Sequence, residues 1–209
     1  MTLHILLTVG FGIVFGYFWT PEIIIQNIDL LIDLGLCLLL FFVGIDIGKN
    51  KTILEDIKSY GLKIFLIPIA IVVGTLFGSV VASFFLNLSP FETAAVGSGL
   101  GWYSLSAIEL SKHSAELGTI AFLANVSREV IALIMIPVIA SRIGHVETIA
   151  AAGATSMDTS LPVITKATSG SISILAFFSG VILSMLVPVL VPLMMSYVNY
   201  NSLLRISLS

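Results

Sequence analysis

The stretch Ala121-Phe-Leu-Ala-Asn-Val-Ser-Arg-Glu-Val130 decides how this chain is read. It sets Arg128 and Glu129 in the middle of an apolar run from about Leu117 to Ala140. A run of that length reaches across a bilayer. A charge at the centre of a transmembrane helix costs about 2.5–3.5 kcal/mol on insertion scales. Here two charges stand side by side, with Asn125 one turn earlier. On a helix Asn125 shares a face with Arg128 and with Glu129, at spacings of three and four. Arg128 and Glu129 point about a third of a turn apart, so neither fully neutralises the other. Other parts of the chain must bring partners, or the segment must face a water-filled cavity.

The rest of the composition agrees. The chain has 209 residues, 57% of them hydrophobic and 10% charged, with a mean hydropathy of +1.12. Soluble domains carry about 25% charged residues, so this is an all-α integral membrane protein. A β-barrel is excluded because the apolar stretches are continuous rather than alternating. The net charge of −3 gives no footprint for nucleic acid. A single cysteine, Cys37, rules out an internal disulfide and any multi-cysteine metal site, and its apolar setting predicts a small packed residue. No metal and no cofactor is expected.

Outward toward the N-terminus, a first segment runs from about Leu3 to Trp19 with Gly10, Gly12 and Gly16 along it. With no basic residue before it and no small-x-small pattern after it, it reads as a retained helix. A second runs from about Ile28 to Gly48, with Asp29 and Asp33 near its start and Asp46 near its end. The connection that follows holds Lys49, Lys51, Lys58 and Lys63 and is expected in the cytoplasm. A third segment, about Ile64 to Leu86, carries Gly74 and Gly78, a small-xxx-small pair suited to close helix packing.

Two segments differ from these. The core of Phe91–Glu109 is Gly97-Ser-Gly-Leu-Gly-Trp-Tyr-Ser-Leu-Ser106, and that of the stretch from about Thr148 to Thr168 is Gly153-Ala-Thr-Ser-Met-Asp-Thr-Ser-Leu-Pro162. Each glycine weakens a helix interior by roughly 1 kcal/mol relative to Ala, and Pro162 removes a backbone donor. Non-helical backbone at membrane depth survives only when buried in protein or lining a cavity. Paired interrupted helices point to a transporter site near the midplane, with amides for anions and carbonyls for cations. The residues these breaks offer are Gly101, Trp102, Tyr103, Ser104 and Ser106 in the first, and Thr155, Ser156, Asp158 and Thr159 in the second. A last segment from Ile172 to about Val198 carries Pro188 and Pro192.

One transmembrane domain over 1–209 follows, its first three helices in 1–86 and a core in 87–198 with breaks near 97–106 and 153–162. If both odd segments span, there are seven crossings, with six basic residues (Lys49, Lys51, Lys58, Lys63, Lys112, Lys166) facing two (Arg142, Arg205). If both are re-entrant there are five crossings, and the reckoning is five against three, with Lys112 and Lys166 changing sides and Arg142 joining the basic loop. Seven is expected. Either count puts the N-terminus in the cytoplasm and the C-terminus outside.

The chain resembles the LysO-type lysine exporters of prokaryotic inner membranes. The resemblance rests on Leu40-Phe-Phe-Val-Gly-Ile-Asp-Ile-Gly48, Ser98-Gly-Leu-Gly-Trp-Tyr-Ser-Leu-Ser106, Gly118-Thr-Ile-Ala-Phe-Leu-Ala-Asn-Val-Ser-Arg-Glu129, Gly153-Ala-Thr-Ser-Met-Asp-Thr-Ser-Leu-Pro162 and Phe178-Ser-Gly-Val-Ile-Leu-Ser-Met-Leu-Val-Pro188. It implies export of L-lysine and its toxic analogues in exchange for protons, an intramembrane Glu at position 129, and kinship with transporters whose broken helices cross near the substrate. It also implies about three further apolar segments before the part matched here. A small membrane subunit, or a second copy of the chain in a homodimer, is the expected supplier of them.

Lysine needs an acid for its ammonium and donors for its carboxylate. Glu129 is the first candidate acid and Asp158 the second; Arg128 or the amides of a broken helix would hold the carboxylate, with Asn125 close by. Asp46 and Asp33 are candidate steps on a proton path. Trp102 and Tyr103 either pack on the aliphatic stem of lysine or fill a core. Na⁺ on hydroxyls and carbonyls of the breaks is the alternative coupling ion. Rival readings are a non-transporting subunit of a split transporter, an exporter of another cationic amino acid, and an intramembrane enzyme. Against the enzyme, His4, His113 and His145 lie at segment ends or in loops, away from any serine at depth.

Overall fold

The computed structural model describes residues 2–18, 20–27, 61 and 63–207, together with positions 30, 34, 35, 37, 38, 41, 42 and 45. Trp19, Asp29, Asp33, Asp46, Lys49, Lys51 and Lys58 lie outside the described residues. The described residues contain helices and turns and no strand. In order they form α1 (Thr2–Phe18), α2 (Glu22–Gln26), α3 (Lys63–Ser83), α4 (Pro90–Gly97), α5 (Tyr103–Ser111), α6 (Ala115–Arg142) and α7 (Glu147–Ala152). A 3₁₀ turn (Gly153–Met157), α8 (Leu161–Ala167) and α9 (Gly170–Ser207) complete them.

Among the described residues three helices are long and apolar enough to cross a membrane: α3 from Ile64 to Ser83, α6, and α9 from Gly170 to Val198. Their ends are chemically marked. Ser114 caps α6, its hydroxyl accepting the Leu117 amide, and α6 ends at Arg142, where a positive charge suits the helix dipole. α4 starts with a capping box, in which Ser89 accepts from the Glu92 amide and the Glu92 carboxylate accepts from the Ser89 amide, with Pro90 in the first turn. α9 is central. Leu175, Leu183, Val187 and Val191 recur at multiples of four along it and are buried in one core with residues of the short helices. By contrast Phe65, Ile69, Val73 and Phe77 of α3 face outward, as an apolar solvent allows.

The two interrupted segments form as the glycines predicted, but neither runs from one end of the bundle to the other. Asn125 Nδ2 lies 3.1 Å from Val96 O and 3.3 Å from Ser106 Oγ. A continuous helix would hold positions 96 and 106 about 15 Å apart, so the chain reverses between them. The outer ends of both legs sit by the same part of α9. Phe91 stacks on Tyr197 at 5.8 Å, while Glu109, Lys112 and His113 share a cavity with Pro192, Met195 and Ser196. Thus α4 and α5 are the legs of a re-entrant hairpin.

The second segment turns back from the opposite end. α6 starts beside α5, with Gly118 against Ser111 and Ala107, and runs about 40 Å away from it. α9 ends beside α5, so Gly170 lies at that same far end. Residues 143–146 join α6 to α7 and residues 168–169 join α8 to α9. Both legs of the second hairpin therefore meet the far end. The expectation of seven crossings counted each interruption as a full span. The reversal was unreadable because glycine marks where a helix stops, not the direction in which the chain leaves. The basic residues do not discriminate. The reckoning of five against three is corrected: in the hairpin geometry Lys166 stays at the end where α3 begins, only Lys112 and Arg142 exchange ends, and the balance is again six against two.

Two packing expectations are corrected. A Cβ at Gly10, Gly12, Gly74 or Gly78 would meet nothing within 4 Å among the described residues. It is Gly97 that makes the close contact with α3, against Ser79 and Thr75. Cys37 is exposed among the described residues rather than packed.

Candidate functional site

The hairpin tips meet in the middle of the bundle. At the first tip Leu100 has φ 51° and Gly101 φ 104°; at the second Gly153 has φ 66°. Leu100 O accepts the amide of Ala154 at 2.9 Å. A Cβ on Gly153 would stand 2.5 Å from Leu100 O and 2.8 Å from Arg128 Nη2. Glycine is required there both by the backbone angle and by the approach of the other tip.

α6 passes behind the contact and holds both tips from one short stretch. Asn125, 3% exposed, accepts the Gly101 amide on Oδ1 at 2.8 Å. Its Nδ2 reaches Val96 O, Ser106 Oγ and, at 2.9 Å, Ala121 O. Arg128 donates from Nη2 to Ala150 O at 3.2 Å and from Nε to Ala151 O at 3.5 Å. These carbonyls end α7 and have no following turn to pair with. Glu129 accepts the Thr159 hydroxyl on Oε1 at 2.5 Å. The same hydroxyl lies 3.2 Å from Asp158 Oδ1, which also accepts the Thr159 amide. A hydroxyl has one hydrogen, so two carboxylates compete for a single donor.

Glu129 and Asp158 line a cavity of about 230 Å³ with Gly101, Trp102, Tyr103, Ser104, Thr155 and Thr159. Tyr103 is set edge-on to Phe122 with ring centres 5.5 Å apart. Four of the predicted residues stand apart. Asn125 and Ser106 are buried behind the first tip and taken up by the bonds above. Ser156 is buried at the second tip and donates to Ala176 O at 2.8 Å. Arg128 lines a different cavity, with Asn125, Thr75 and Ser79. Asp33 and Asp46 are outside the described residues. Sequence reasoning passed over Met157 and Ser184, which also line the acidic cavity and touch each other, Oγ to Sδ, at 3.6 Å. The available signal was the pair Gly180 and Ser184 four residues apart on α9. A Cβ on Gly180 would stand 2.5 Å from the Met157 amide nitrogen, so this small residue admits the second tip to the helix.

Apolar crossing helices, two interrupted segments that meet at depth and a carboxylate pair at the meeting point define an all-helical membrane transporter. The chain belongs to the LysO lysine exporter family, whose model matches residues 6–195. The lysine exporter LysO of Escherichia coli (strain K12) is 38% identical over 158 residues, covering 75% of this chain and 52% of that protein. A Haemophilus influenzae (strain ATCC 51907 / DSM 11121 / KW20 / Rd) protein named "Putative lysine exporter" is 32% identical over 162 residues, covering 76% of this chain and 81% of its own length. The chain thus spans about half the length of the Escherichia coli relative. No solved structure matches it. The family is one of membrane exporters rather than of enzymes.

Proposed function

We propose that the protein exports L-lysine and lysine analogues across the inner membrane in exchange for protons, with Glu129 and Asp158 as the groups that carry both. The observation that supports this most is the pair of carboxylates sharing Thr159 in one cavity at the hairpin tips. Two negative charges in a poorly solvated place repel strongly, and uptake of one positive charge relieves them. A proton and the lysine ammonium are alternative ways of supplying it. If they exclude each other, the protein is an antiporter. The ammonium brings three donors to carboxylates whose donors among the described residues are one shared hydroxyl and the Thr159 amide. Trp102 and Tyr103 line the same cavity and would pack on the four-carbon stem.

The crossings on this reading are α1, the apolar stretch 28–48, α3, α6 and α9, five in all, with two re-entrant hairpins. The N-terminus is cytoplasmic and the C-terminus outside. The test is counterflow of labelled L-lysine into liposomes holding the purified chain, under an imposed pH gradient and without Na⁺. Proton-sensitive exchange that Glu129→Gln and Asp158→Asn each abolish is expected. Normal exchange by either variant removes that residue from the mechanism, and exchange that needs Na⁺ replaces the proton as coupling ion. Inhibition by arginine or ornithine as strong as by lysine widens the substrate to cationic amino acids generally.

A second reading makes the chain a subunit of a split transporter. In that reading a partner, either a small membrane subunit or a second copy, is part of the working unit. Exchange that appears only when such a subunit is added makes this chain the larger half of a split exporter. No exchange in either case assigns it a non-transporting role.

A further inference from the structure

Arg128 and Glu129 are neighbours in sequence, yet they open onto separate spaces. The Glu129 cavity and a second cavity of about 290 Å³ share no lining residue. The bond from the Gly101 amide to Asn125 stands between them, since Gly101 lines one and Asn125 the other. The second cavity is bordered by Thr75, Ser79, Asn125 and Arg128 on a largely aliphatic wall that includes Leu86 and Ile120, and no described residue that lines it is acidic. Among the described residues the one ion pair is Lys112 with Glu109, far from this place, and none of their carboxylates pairs with Arg128. Its contacts are with two carbonyl oxygens, which use two of the five N–H groups of a guanidinium. A positive charge in a membrane helix, set at a roomy and largely apolar cavity and matched among the described residues by carbonyl dipoles, is a place for an anion.

We propose that the Arg128 cavity is a second binding station, on the other side of the hairpin contact from the acidic one, for a carboxylate or another small monoanion. It rests in part on the lysine reading, because one source of the carboxylate is the transported amino acid itself; the other is a free anion. The molecule would then hold the two ends of a zwitterion at different stations. The ammonium is recognised at Glu129 and Asp158 and the carboxylate at Arg128, and the tips must part for a ligand to pass between them.

The experiment uses the full chain in liposomes with L-lysine, its decarboxylated analogue 1,5-diaminopentane, and acetate as probes. Variants are Arg128→Gln, Arg128→Lys and Ala124→Phe; the last fills the cavity, which Ala124 lines, without removing the guanidinium from α7. If the occupant is the amino acid, the unaltered protein prefers lysine to the diamine about tenfold or more. Arg128→Gln and Ala124→Phe bring the two near parity, and Arg128→Lys keeps most of the preference. If the occupant is a free anion, acetate changes the lysine rate and raises the melting temperature saturably, and both effects vanish in Ala124→Phe. Lysine exchange with its preference intact in Arg128→Gln and Ala124→Phe, and no saturable effect of acetate, overturns the station while leaving the lysine reading standing. Where no lysine exchange occurs at all, the lysine reading fails, and acetate-induced stabilisation by itself decides the station.

Discussion

Replacing Asn125 with leucine removes a side chain of nearly the same size and leaves the first hairpin tip without its anchor. In the native arrangement the carboxamide oxygen is the acceptor for the Gly101 amide, and its nitrogen serves Val96 O, Ser106 Oγ and Ala121 O. The losses are unequal. Ser106 Oγ keeps its bonds to Trp102 O and Tyr103 O, and Val96 O still receives the Gly99 amide. The Gly101 amide alone is stranded, in a fully buried position. A buried unsatisfied donor costs about 1–3 kcal/mol, and polar contacts between membrane helices average about 0.6 kcal/mol, with a ceiling near 1.7. The two ranges together place Asn125→Leu at about 1.5 kcal/mol, roughly a tenfold rise in the fraction of time the tip is open. Hydrogen exchange of a peptide covering 97–106, in detergent, measures that opening directly. It should speed up about tenfold there, while peptides from the middle of α9 keep their protection. Unchanged exchange at 97–106 in a folded Asn125→Leu protein would refute the view that this side chain fixes the turn.

Three further outcomes follow from the same geometry. In a Cys37→Ser background, Lys112→Cys and Lys166→Cys should react with a membrane-impermeant thiol reagent from opposite sides, whereas labelling from one side would mean that the interrupted segments run through. Gly153→Ala should lower the melting temperature and the lysine exchange rate together, because the φ of 66° and a Cβ 2.5 Å from Leu100 O combine strain of about 1–3 kcal/mol with a clash at the tip contact; a variant of native stability argues against the crossing. Thr159→Val should slow exchange at least tenfold by removing the hydroxyl that Glu129 and Asp158 share, and Thr159→Ser should restore it. Equal rates in both variants would show that the hydroxyl is not used.

The class of this molecule was written in its composition and in one run of residues. Charges at Arg128 and Glu129 inside an apolar run can persist only in a membrane helix that has something to face, and that much needs no coordinates. The interruptions were also legible, because Gly97, Gly99, Gly101, Gly153 and Pro162 each act on their own backbone. So was the carboxylate pair, since an acid at membrane depth is expensive wherever its partner lies. The tertiary structure decided the direction in which each broken segment leaves its break. That direction depends on the Gly101 amide being accepted by Asn125, 24 residues further on, and on a bond between Leu100 and Ala154. It also decided that Arg128 and Glu129 face different cavities, and it brought Met157 and Ser184 to the acids. These are relations between residues distant in the chain. Local backbone preference cannot specify them, because they arise only when helices with separate ends are packed against one another.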